Sequence, residues 1–411
     1  MKFLALSALL LAASAFAKAP KHHELDESYD FATYVKDFSK NYDSAEYSRR
    51  EALFKANMKD IMSHNQLLGR TYHKGVNHFT DFADDEGHFG LSKGMTGSWN
   101  NVRTLTHDEL PFEVEAADKL PASMDWRTEG VVTAVKDQGG CGSCWAFAAA
   151  ATLESHIAIE TGTLFNLAPQ KFVSCMPNPE KCGGTGGCAG ATVDLAFDYA
   201  MKNGGIVQEY QMGYTSYYGE DGDCTIHPDE NFLKSTDGPD PDGITGGVAN
   251  IEDYVKLPTN DYLALLNAIA KTGPVAVSVA ASPWKAYESG IFQGEFTTEA
   301  LDVNHAVTLV GYGTDEATGL DYWLVRNSWK PTWAESGYIR LLRVDPDSLS
   351  DPNDICGVDP DSLSDPNDIC GVDSAPQDGT ACEGQTANVT VCGTSAIHYD
   401  NVIPVGGHLL V

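Results

Sequence analysis

The sequence predicts an α+β protein in which a helix-rich half is followed by a strand-rich half, behind a separate helical N-terminal region. Three observations predict this fold class. All ten cysteines lie after residue 119, an alanine-rich helical run begins at Cys144, and apolar runs typical of strands fill the chain from Pro274 onward. With 411 residues, 42% of them hydrophobic, the chain is long enough for two or three compact units.

The first residues are typical of a secretory signal peptide. Lys2 precedes a short apolar run, and Ala15-Phe16-Ala17 matches a small-x-small cleavage site. The run is too short to span a membrane, and Lys271 and Pro274 interrupt the most apolar later segment. We therefore expect residues 1–17 to be removed. The remainder would have no membrane span and would be secreted or delivered to a lysosome or vacuole.

The formal net charge of −31 is concentrated in the later part of the chain. From Leu120 onward, 13 basic side chains stand against 40 acidic ones. Such a field opposes binding to nucleic acid or to an anionic membrane, so neither is an expected partner. The negative charge is consistent with work in an acidic lumen, and it is equally well explained as a means of keeping the protein soluble.

Residues 18–119 contain no cysteine and carry helical patterns, so they form one predicted domain. A first helix is indicated by the spacing of Phe31, Tyr34, Val35, Phe38 and Tyr42. A longer helix is predicted over about 44–68, with six residues on one face: Glu46, Arg50, Phe54, Asn57, Ile61 and Asn65. Four further residues alternate as one face of a strand does: Gly75, Asn77, Phe79 and Asp81.

The later part of the chain is predicted to begin with helices and to end with strands. A strong helix runs over about 144–159 and stops at Thr161-Gly162, and a second is predicted over 261–271. Apolar strand patterns separated by Gly and Asp turns follow at 274–280, 306–313, 321–329 and 337–343. This order predicts two lobes with a cleft between them.

Residues 138–147 (QGGCGSCWAF) form the most informative segment. Cys144 begins the predicted helix, where the positive end of the helix dipole lowers a thiol pKa and favours the nucleophilic thiolate. The glycines before it allow a substrate backbone to approach closely. The side-chain amide of Gln138 and the backbone N–H of Cys144 are candidate donors to an oxyanion.

Two later segments supply an acid–base pair for this thiol. His305 opens a predicted strand and can exchange a proton with the thiol and with a leaving amine. Asn327 can accept from the far imidazole N–H, and the indole of Trp329 can shield that bond from water. Each residue alone is more often structural, but together they predict thiol-dependent peptide hydrolysis.

On these residues the chain resembles the papain-like cysteine proteases of the cathepsin L type, over about 29–404. Residues 141–145 (CGSCW) match the family signature, which has His and Asn downstream. The six-residue helix face matches the family's ERFNIN propeptide motif, and residues 75–81 match its GNFD motif. His305 and Asn327 follow Cys144 by 161 and 183 residues, a long spacing that insertions around 176–187 and 217–250 would explain.

The resemblance implies a papain-like fold with a helical left lobe, a β-barrel-like right lobe and a cleft between them. It implies a zymogen whose propeptide, residues 18–119, crosses the cleft in the non-productive direction ahead of a peptidase domain over 120–411. The mature N-terminus would lie at or beside Pro121. Protein and peptide substrates and the chain's own propeptide are the implied partners of a monomer, with no cofactor and no metal.

Carried over residue by residue, the resemblance makes this a cysteine endopeptidase that works through a thioester acyl-enzyme. Cys144 would be the nucleophile and His305 the general acid and base. Asn327 would orient the imidazole, and Gln138 would donate to the oxyanion.

The expected substrate cleft departs from the family pattern. Its expected lining is Gly142, Ser143, Gly190, Val193, Ser278, Val303 and Trp329, with an apolar second subsite walled by Val193, Ser278 and Val303. Ala191 replaces the second glycine of the family's Gly-Cys-x-Gly-Gly, while Lys330 and Ala334 replace glycines after Trp329 and Trp333. We expect these changes to disturb the cleft wall and the turn beside the Asn327–His305 pair.

The cysteine count is odd once Cys144 is set aside. The resemblance pairs Cys141 with Cys188 and Cys175 with Cys224. The family's third bridge normally starts shortly before the catalytic histidine, where this chain has no cysteine. The remaining cysteines have open partners: Cys182, Cys356, Cys370, Cys382 and Cys392.

A perfect tandem repeat occupies residues 345–372, since DPDSLSDPNDICGV at 345–358 recurs at 359–372. Its Asp and Pro content predicts a surface loop. The duplication adds one cysteine, so we expect one stranded thiol. Calcium at the repeat and zinc near 182–188 are weak alternatives, because the first lacks the EF-hand glycine and the second lacks nearby histidines.

Seven of the twelve histidines lie between residues 22 and 107. We hypothesise that acidification protonates some of them, including His78, and weakens the propeptide's grip. Scattered surface histidines are an equally good interpretation.

Two other functions stay open at this level. A non-catalytic binding or storage homologue would not need Cys144, His305, Asn327 and Gln138 together. An exopeptidase would need a narrowed cleft, which the insertion at 176–187 could give, although it lacks the paired histidines of the cathepsin B occluding loop.

Overall fold

A computed structural model describes residues 19–83, 86, 105–224, 246–294, 301–346, 370–376, 379–384 and 387–410. The predicted signal peptide and most of the tandem repeat lie outside these described residues. So does the stretch over 87–104.

The N-terminal region packs two helices around an aromatic core. Helices α1 (Phe31–Asp37) and α2 (Ser44–Gln66) agree with the predicted spacing, and α2 ends slightly earlier than expected. Asp30 and Asp43 cap them by accepting from backbone N–H groups of the first turn. The buried residues of this core are Phe31, Tyr34, Phe54, Met58, Ile61 and Val76.

Residues 75–81 are not one face of a strand, which corrects the sequence expectation. Strand β1 is short and lies before them, at Tyr72–Lys74. The Asn77 side chain accepts from Phe79 N at 2.9 Å, and Thr80 Oγ1 accepts from Asn77 N at 2.9 Å. These side-chain bonds close a turn, because Asn and Thr can satisfy the backbone locally in place of a sheet partner.

The fold is α+β with two lobes, as the sequence predicts. The helical lobe holds α3 (Cys144–Thr161), α4 (Pro169–Cys175) and α5 (Val193–Lys202). Helix α3 is buried on all sides from Cys144 to Ala158, which fits its alanine-rich sequence without a polar face. It ends at Gly162, whose φ of 72° gives the left-handed cap that glycine adopts without steric cost.

The sheet lobe is built on one mixed sheet, which contains nine strands among the described residues. Besides β1, these are β2 (Met124–Asp125), β4 (Asp253–Lys256), β5 (Val275–Val279), β6 (Tyr287–Phe292), β7 (His305–Thr314), β8 (Asp321–Arg326), β9 (Tyr338–Leu342) and β12 (Asp400–Val405). The order is β1-β6-β9-β8-β7-β5-β12-β4, with β2 also paired to β7. The β6–β9 pair is parallel, and helix α6 (Tyr262–Lys271) packs on the sheet.

Four short strands complete the chain order. Strands β10 (Cys370–Asp373) and β11 (Val389–Cys392) pair with each other, as do β3 (Ala249–Asn250) and β13 (His408–Leu409). Within the described ranges, none of the helices has the length and apolar character needed to cross a membrane.

The N-terminal region joins the sheet lobe as an edge strand. Strand β1 pairs antiparallel with β6, with Tyr72 opposite Gly290. Gly75 N donates to Ala286 O at 2.8 Å, and a Cβ at Gly75 would lie 2.1 Å from the Glu288 carboxylate. Any larger residue at position 75 would therefore collide with the Glu288 side chain unless that side chain moved. This added strand fixes the N-terminal region to one edge of the sheet.

Candidate active site

Cys144 lies at the N-terminus of α3, where the two lobes meet. Its Sγ accepts from the backbone N of Ala306 at 3.2 Å, so the sulfur sits against the residue that follows His305. Helix α3 thus brings the predicted nucleophile from the helical lobe to the first residues of β7 in the sheet lobe. Cys144 is fully buried in this form.

His305 begins strand β7, and Asn327 directly follows the neighbouring strand β8. The imidazole Nε2 of His305 lies 2.8 Å from Asn327 Oδ1, and both residues are buried. The indole of Trp329 stacks on the imidazole, with 4.9 Å between centroids and 29° between planes. Asn327 follows the end of β8, which pairs with β7, so the sheet register sets this contact.

Gln138 links the two sides of the site. Its backbone N donates to Ser328 O at 2.9 Å, and its side-chain carbonyl accepts from Ser328 Oγ at 2.6 Å. Its amide nitrogen donates to Cys141 O at 3.1 Å. The side chain is therefore held in one orientation, with its amide hydrogens toward the turn that precedes Cys144.

The environment of the Cys144 thiol differs from the sequence expectation. Burial raises the pKa of Cys144 to about 12, while N–H groups of Ala306, Trp145 and Cys144 itself oppose the rise. The sequence argument considered the helix N-terminus and the His305 imidazole but not burial, which is the largest influence on the thiol pKa here. In this form the thiol is protonated at neutral pH.

The predicted cleft residues from the helical lobe lie around the turn before α3 and the start of α5. Gly142 N donates to Cys188 O at 3.0 Å, and Ser143 Oγ lies 2.7 Å from the Tyr214 hydroxyl. Gly190 adopts a φ of 89°, which favours glycine there. Val193 is the first residue of α5 and is buried.

The predicted cleft residues from the sheet lobe, Ser278 and Val303, are also buried. Ser278 Oγ donates to Asp400 Oδ2 at 2.6 Å, and Lys256 Nζ lies 2.7 Å from Asp400 Oδ1. Sequence analysis missed Asp400, although a lone acidic residue in the apolar run 397–405 was a usable signal. An ion pair therefore lies directly behind the Ser278 wall.

The two replaced glycines near Trp329 keep glycine-like backbones. Lys330 has a φ of 78° and Ala334 a φ of 49°, both in the left-handed region. Lys330 Nζ lies 3.6 Å from Asp137 Oδ2 and 5.8 Å from the Tyr217 ring centroid. The backbone of the turn is therefore strained at both positions.

Four disulfides join described cysteines. Two are the pairs implied by the resemblance, Cys141–Cys188 and Cys175–Cys224. The other two are Cys182–Cys382 and Cys370–Cys392, which settles partners that the sequence left open. Zinc at 182–188 was wrong, because both thiols there are oxidised. Cys356 and the calcium alternative fall outside the described residues.

The N-terminal motif residues hold the turn at 75–81 against the site. Arg50 Nη1 donates to Asp81 O at 3.0 Å, and Asn57 Nδ2 donates to Thr80 O at 3.0 Å. Arg50 is itself held by Glu46, and Asn65 bonds the Lys74 backbone through both of its side-chain polar atoms. Phe54 and Ile61 lie in the core beneath.

This turn docks on the sheet lobe next to His305. Asn77 Nδ2 donates to Lys285 O at 2.6 Å. The Phe79 ring meets Trp329 edge-on, with 5.1 Å between centroids. The N-terminal region therefore contacts the indole that covers the Asn327–His305 bond.

Comparisons with known proteins agree with this geometry. Residues 120–362 match the papain family cysteine protease model, and residues 31–86 match the cathepsin propeptide inhibitor domain. The chain is 35% identical over 348 residues to a probable cysteine protease, RDL3, of Arabidopsis thaliana, covering 84% of this chain and 85% of the relative.

Solved structures of precursors are similar over most of the chain. A recombinant stem bromelain precursor matches with a TM-score of 0.64 at 28% identity, over 92% of this chain and 97% of that one. Digestive procathepsin L2 from the larval midgut of Tenebrio molitor matches with a TM-score of 0.64 at 27% identity, over 91% and 98%.

Proposed function

The chain belongs to the papain family of cysteine proteases, and we propose that it is an endopeptidase in which Cys144, His305, Asn327 and Gln138 carry the chemistry. It has the family's inhibitory propeptide domain and is a zymogen. The observation that carries the residue assignment is the interlobe contact. Ala306 N reaches Cys144 Sγ, while His305, one residue earlier, is held by Asn327.

The reaction begins with attack of the Cys144 thiolate on the scissile carbonyl carbon, with the thiol proton on the His305 imidazole. The resulting oxyanion would accept from the Gln138 side-chain amide and the Cys144 backbone N–H. The imidazolium returns the proton to the leaving amine, which leaves a thioester on Cys144. Water, deprotonated by His305, then hydrolyses the thioester and releases the acid.

Asn327 and Trp329 act by positioning His305. Because Asn327 accepts from Nε2, the other ring nitrogen, Nδ1, is the one left for exchange with the thiol. The stacked indole keeps water from the Asn327–His305 bond, which strengthens the bond in a low local dielectric.

The propeptide is proposed to span 18–119 and the peptidase domain 120–411, with processing beside Pro121. The peptidase would act as a monomer on protein and peptide substrates. A signal peptide over 1–17 and disulfides in the described residues support a route through the secretory pathway to the outside or to a lysosome or vacuole. The buried apolar side chains of Val193 and Val303 support an apolar second subsite.

The experiment that tests this proposal is acid activation of the purified precursor followed by labelling with a thiol-directed active-site inhibitor. We expect one label, on Cys144, together with hydrolysis of an internally cleaved peptide whose two ends are blocked. Cys144→Ala is the control and should give neither signal. Correctly processed protein that leaves Cys144 unlabelled would contradict the proposal.

A further inference from the structure

Residues 388–390 (NVT) form the single Asn-x-Ser/Thr sequence of the chain with a residue other than proline in the middle. This sequence is the acceptor pattern for N-linked oligosaccharides in proteins that follow the secretory route. A transferred oligosaccharide is bulky and polar, so the Asn must lie on the protein surface and the hydroxyl two residues later must lie beside it. The structure allows both conditions to be examined.

Strand β11 presents the acceptor pattern on its outer face. Val389 and Val391 point inward into a small apolar cluster that also holds Val303, and Val391 is fully buried. Because side chains alternate along an extended strand, Asn388 and Thr390 point the other way, and both are exposed. The amide and the hydroxyl therefore share one solvent-facing surface.

The backbone of β11 is held by contacts that leave this face open. The Cys370–Cys392 disulfide joins β11 to β10. On the other edge, Asn260 Nδ2 donates to Thr390 O at 2.8 Å, and Asn260 Oδ1 accepts from Cys392 N at 3.0 Å. These bonds use backbone groups of the strand. An oligosaccharide on Asn388 therefore fits the folded protein without moving the strand.

An exposed apolar side chain lies next to the acceptor. Val372 of β10 is directly opposite Thr390 and is 45% exposed. The residue diagonal to it across the pair is Asn388, and diagonal neighbours on one sheet face lie about 7–8 Å apart. The first sugars on Asn388 would reach across this distance and cover the Val372 side chain.

From this placement we propose that Asn388 carries an N-linked oligosaccharide whose first sugars cover Val372. In the transfer, Asn388 Nδ2 forms a bond to the anomeric carbon of a lipid-linked oligosaccharide. The bond from that carbon to the lipid diphosphate breaks, the diphosphate leaves with the electron pair, and the amide loses one proton to a base. The lipid-linked donor comes from the secretory pathway, so this inference rests on the proposed route and not on the proposed catalysis.

The oligosaccharide would lie away from the catalytic groups. The inner face of β11 packs on Val303, which is fully buried and lies two residues before His305. The sugars project from the opposite face of the strand, behind this wall of the proposed second subsite. Removing them should therefore leave the hydrolysis of a short peptide unchanged.

The test uses the full-length chain, made with its own first residues in a eukaryotic cell and purified in four forms: native, Asn388→Gln, Thr390→Val and Thr390→Ser. The two changes at Thr390 are a matched pair, since both alter the same exposed side chain and only the valine lacks the hydroxyl. N-linked sugars are released by an amidase in heavy-oxygen water. The release converts a modified Asn388 into an aspartate that carries the heavy oxygen, which peptide mass spectrometry detects.

We expect the native protein and Thr390→Ser to carry the label and the other two forms to lack it. Hydroxyl-radical footprinting then reads the cover of Val372. Its oxidation should be faster in Asn388→Gln than in the native protein. Leu409, which is 39% exposed on β13, is the internal control and should be oxidised equally in both.

Two results would overturn the inference directly. One is a native protein that has lost residues 1–17 and formed the Cys370–Cys392 disulfide, yet carries no sugar on Asn388. The other is equal oxidation of Val372 with and without the sugars, which would remove the proposed cover.

Two further results separate this inference from the claims around it. A chain that keeps residues 1–17 and its free thiols would overturn the secretory route and the oligosaccharide together. A glycosylated native protein whose Cys144 stays unlabelled by the active-site inhibitor would count against the proposed catalysis alone. Loss of peptide hydrolysis in folded Asn388→Gln would contradict the outward placement.

Discussion

Replacing Asp81 should release the propeptide from the enzyme. Its carboxylate is fully buried and accepts from the Tyr34 hydroxyl at 2.9 Å, from Lys40 Nζ at 3.0 Å and from the Tyr42 hydroxyl. Removing it leaves Lys40 without its counterion in a place where burial already lowers the Lys40 pKa. Breaking such a pair costs about 3–5 kcal/mol.

Asp81 ends the turn at 75–81 that docks on the sheet lobe, so a loss of propeptide stability should also weaken docking. Asp81→Ala should lower the unfolding free energy of the propeptide by about 4 kcal/mol, and Asp81→Asn by about half of that, because the amide keeps the shape and part of the bonding. Unfolding is followed in urea on a Cys144→Ala background, which prevents self-processing. With Cys144 intact, the same variants should process themselves faster at a fixed pH.

Lys40→Met supplies the decisive comparison. The double variant Asp81→Ala with Lys40→Met removes both charges, so its loss should be smaller than the sum of the two single losses. Additive losses would refute the claim that the unpaired lysine dominates the cost. So would an Asp81→Ala precursor that self-processes at the native rate.

Three further experiments test the backbone strain at Ala334, the pH dependence of propeptide docking through His78, and the raised pKa of the Cys144 thiol. Ala334→Gly should raise the unfolding free energy by about 1 kcal/mol, because glycine adopts the left-handed backbone of this position without strain. The change is measured by denaturant unfolding, and an unchanged free energy would contradict the claim that Ala334 is strained. Burial and the cations Lys330 and Lys40 hold the pKa of His78 well below its usual value. The released propeptide therefore takes up a proton that the docked one excludes, and docking weakens as pH falls through about 6.5. His78→Gln should shift the pH profile of self-processing toward lower pH, and an unchanged profile would rule out this residue. Because burial raises the pKa of Cys144, iodoacetamide should alkylate it far more slowly at pH 7 in the precursor than in the mature enzyme. Equal rates, measured by mass spectrometry, would count against burial as the cause.

Much of the fold was predictable because its signals are local. Helix α3 follows from an unbroken alanine-rich run that begins at Cys144, and strand β7 from a continuous apolar run after His305. Both patterns act within a few residues, so tertiary context did not override them. The grouping of His305 with Asn327 also followed, because neighbouring strands fix their separation.

The features that the sequence left open or predicted wrongly depend on contacts between distant residues, on side-chain bonds within a turn, or on exclusion of water. The Cys182–Cys382 bridge joins residues 200 apart and leaves no mark in either neighbourhood. The sequence of the turn at 75–81 resembles a strand, and only the structure shows that the Asn77 side chain accepts from the backbone N–H of Phe79. The Cys144 pKa depends on full burial, which no local pattern encodes.

The contacts of Trp329 indicate how the precursor is kept inactive. Phe79 of the propeptide meets one edge of this indole, whose face lies on His305. Trp284 and Trp333, from the sheet lobe itself, also meet Trp329, at 6.5 and 5.1 Å between centroids. Removing Phe79 should therefore leave in place the stacking of Trp329 on His305 and its contacts with Trp284 and Trp333. The His305–Asn327 bond is already present in the precursor and Cys144 is fully buried in it. We therefore expect activation to expose the thiol without rebuilding that bond.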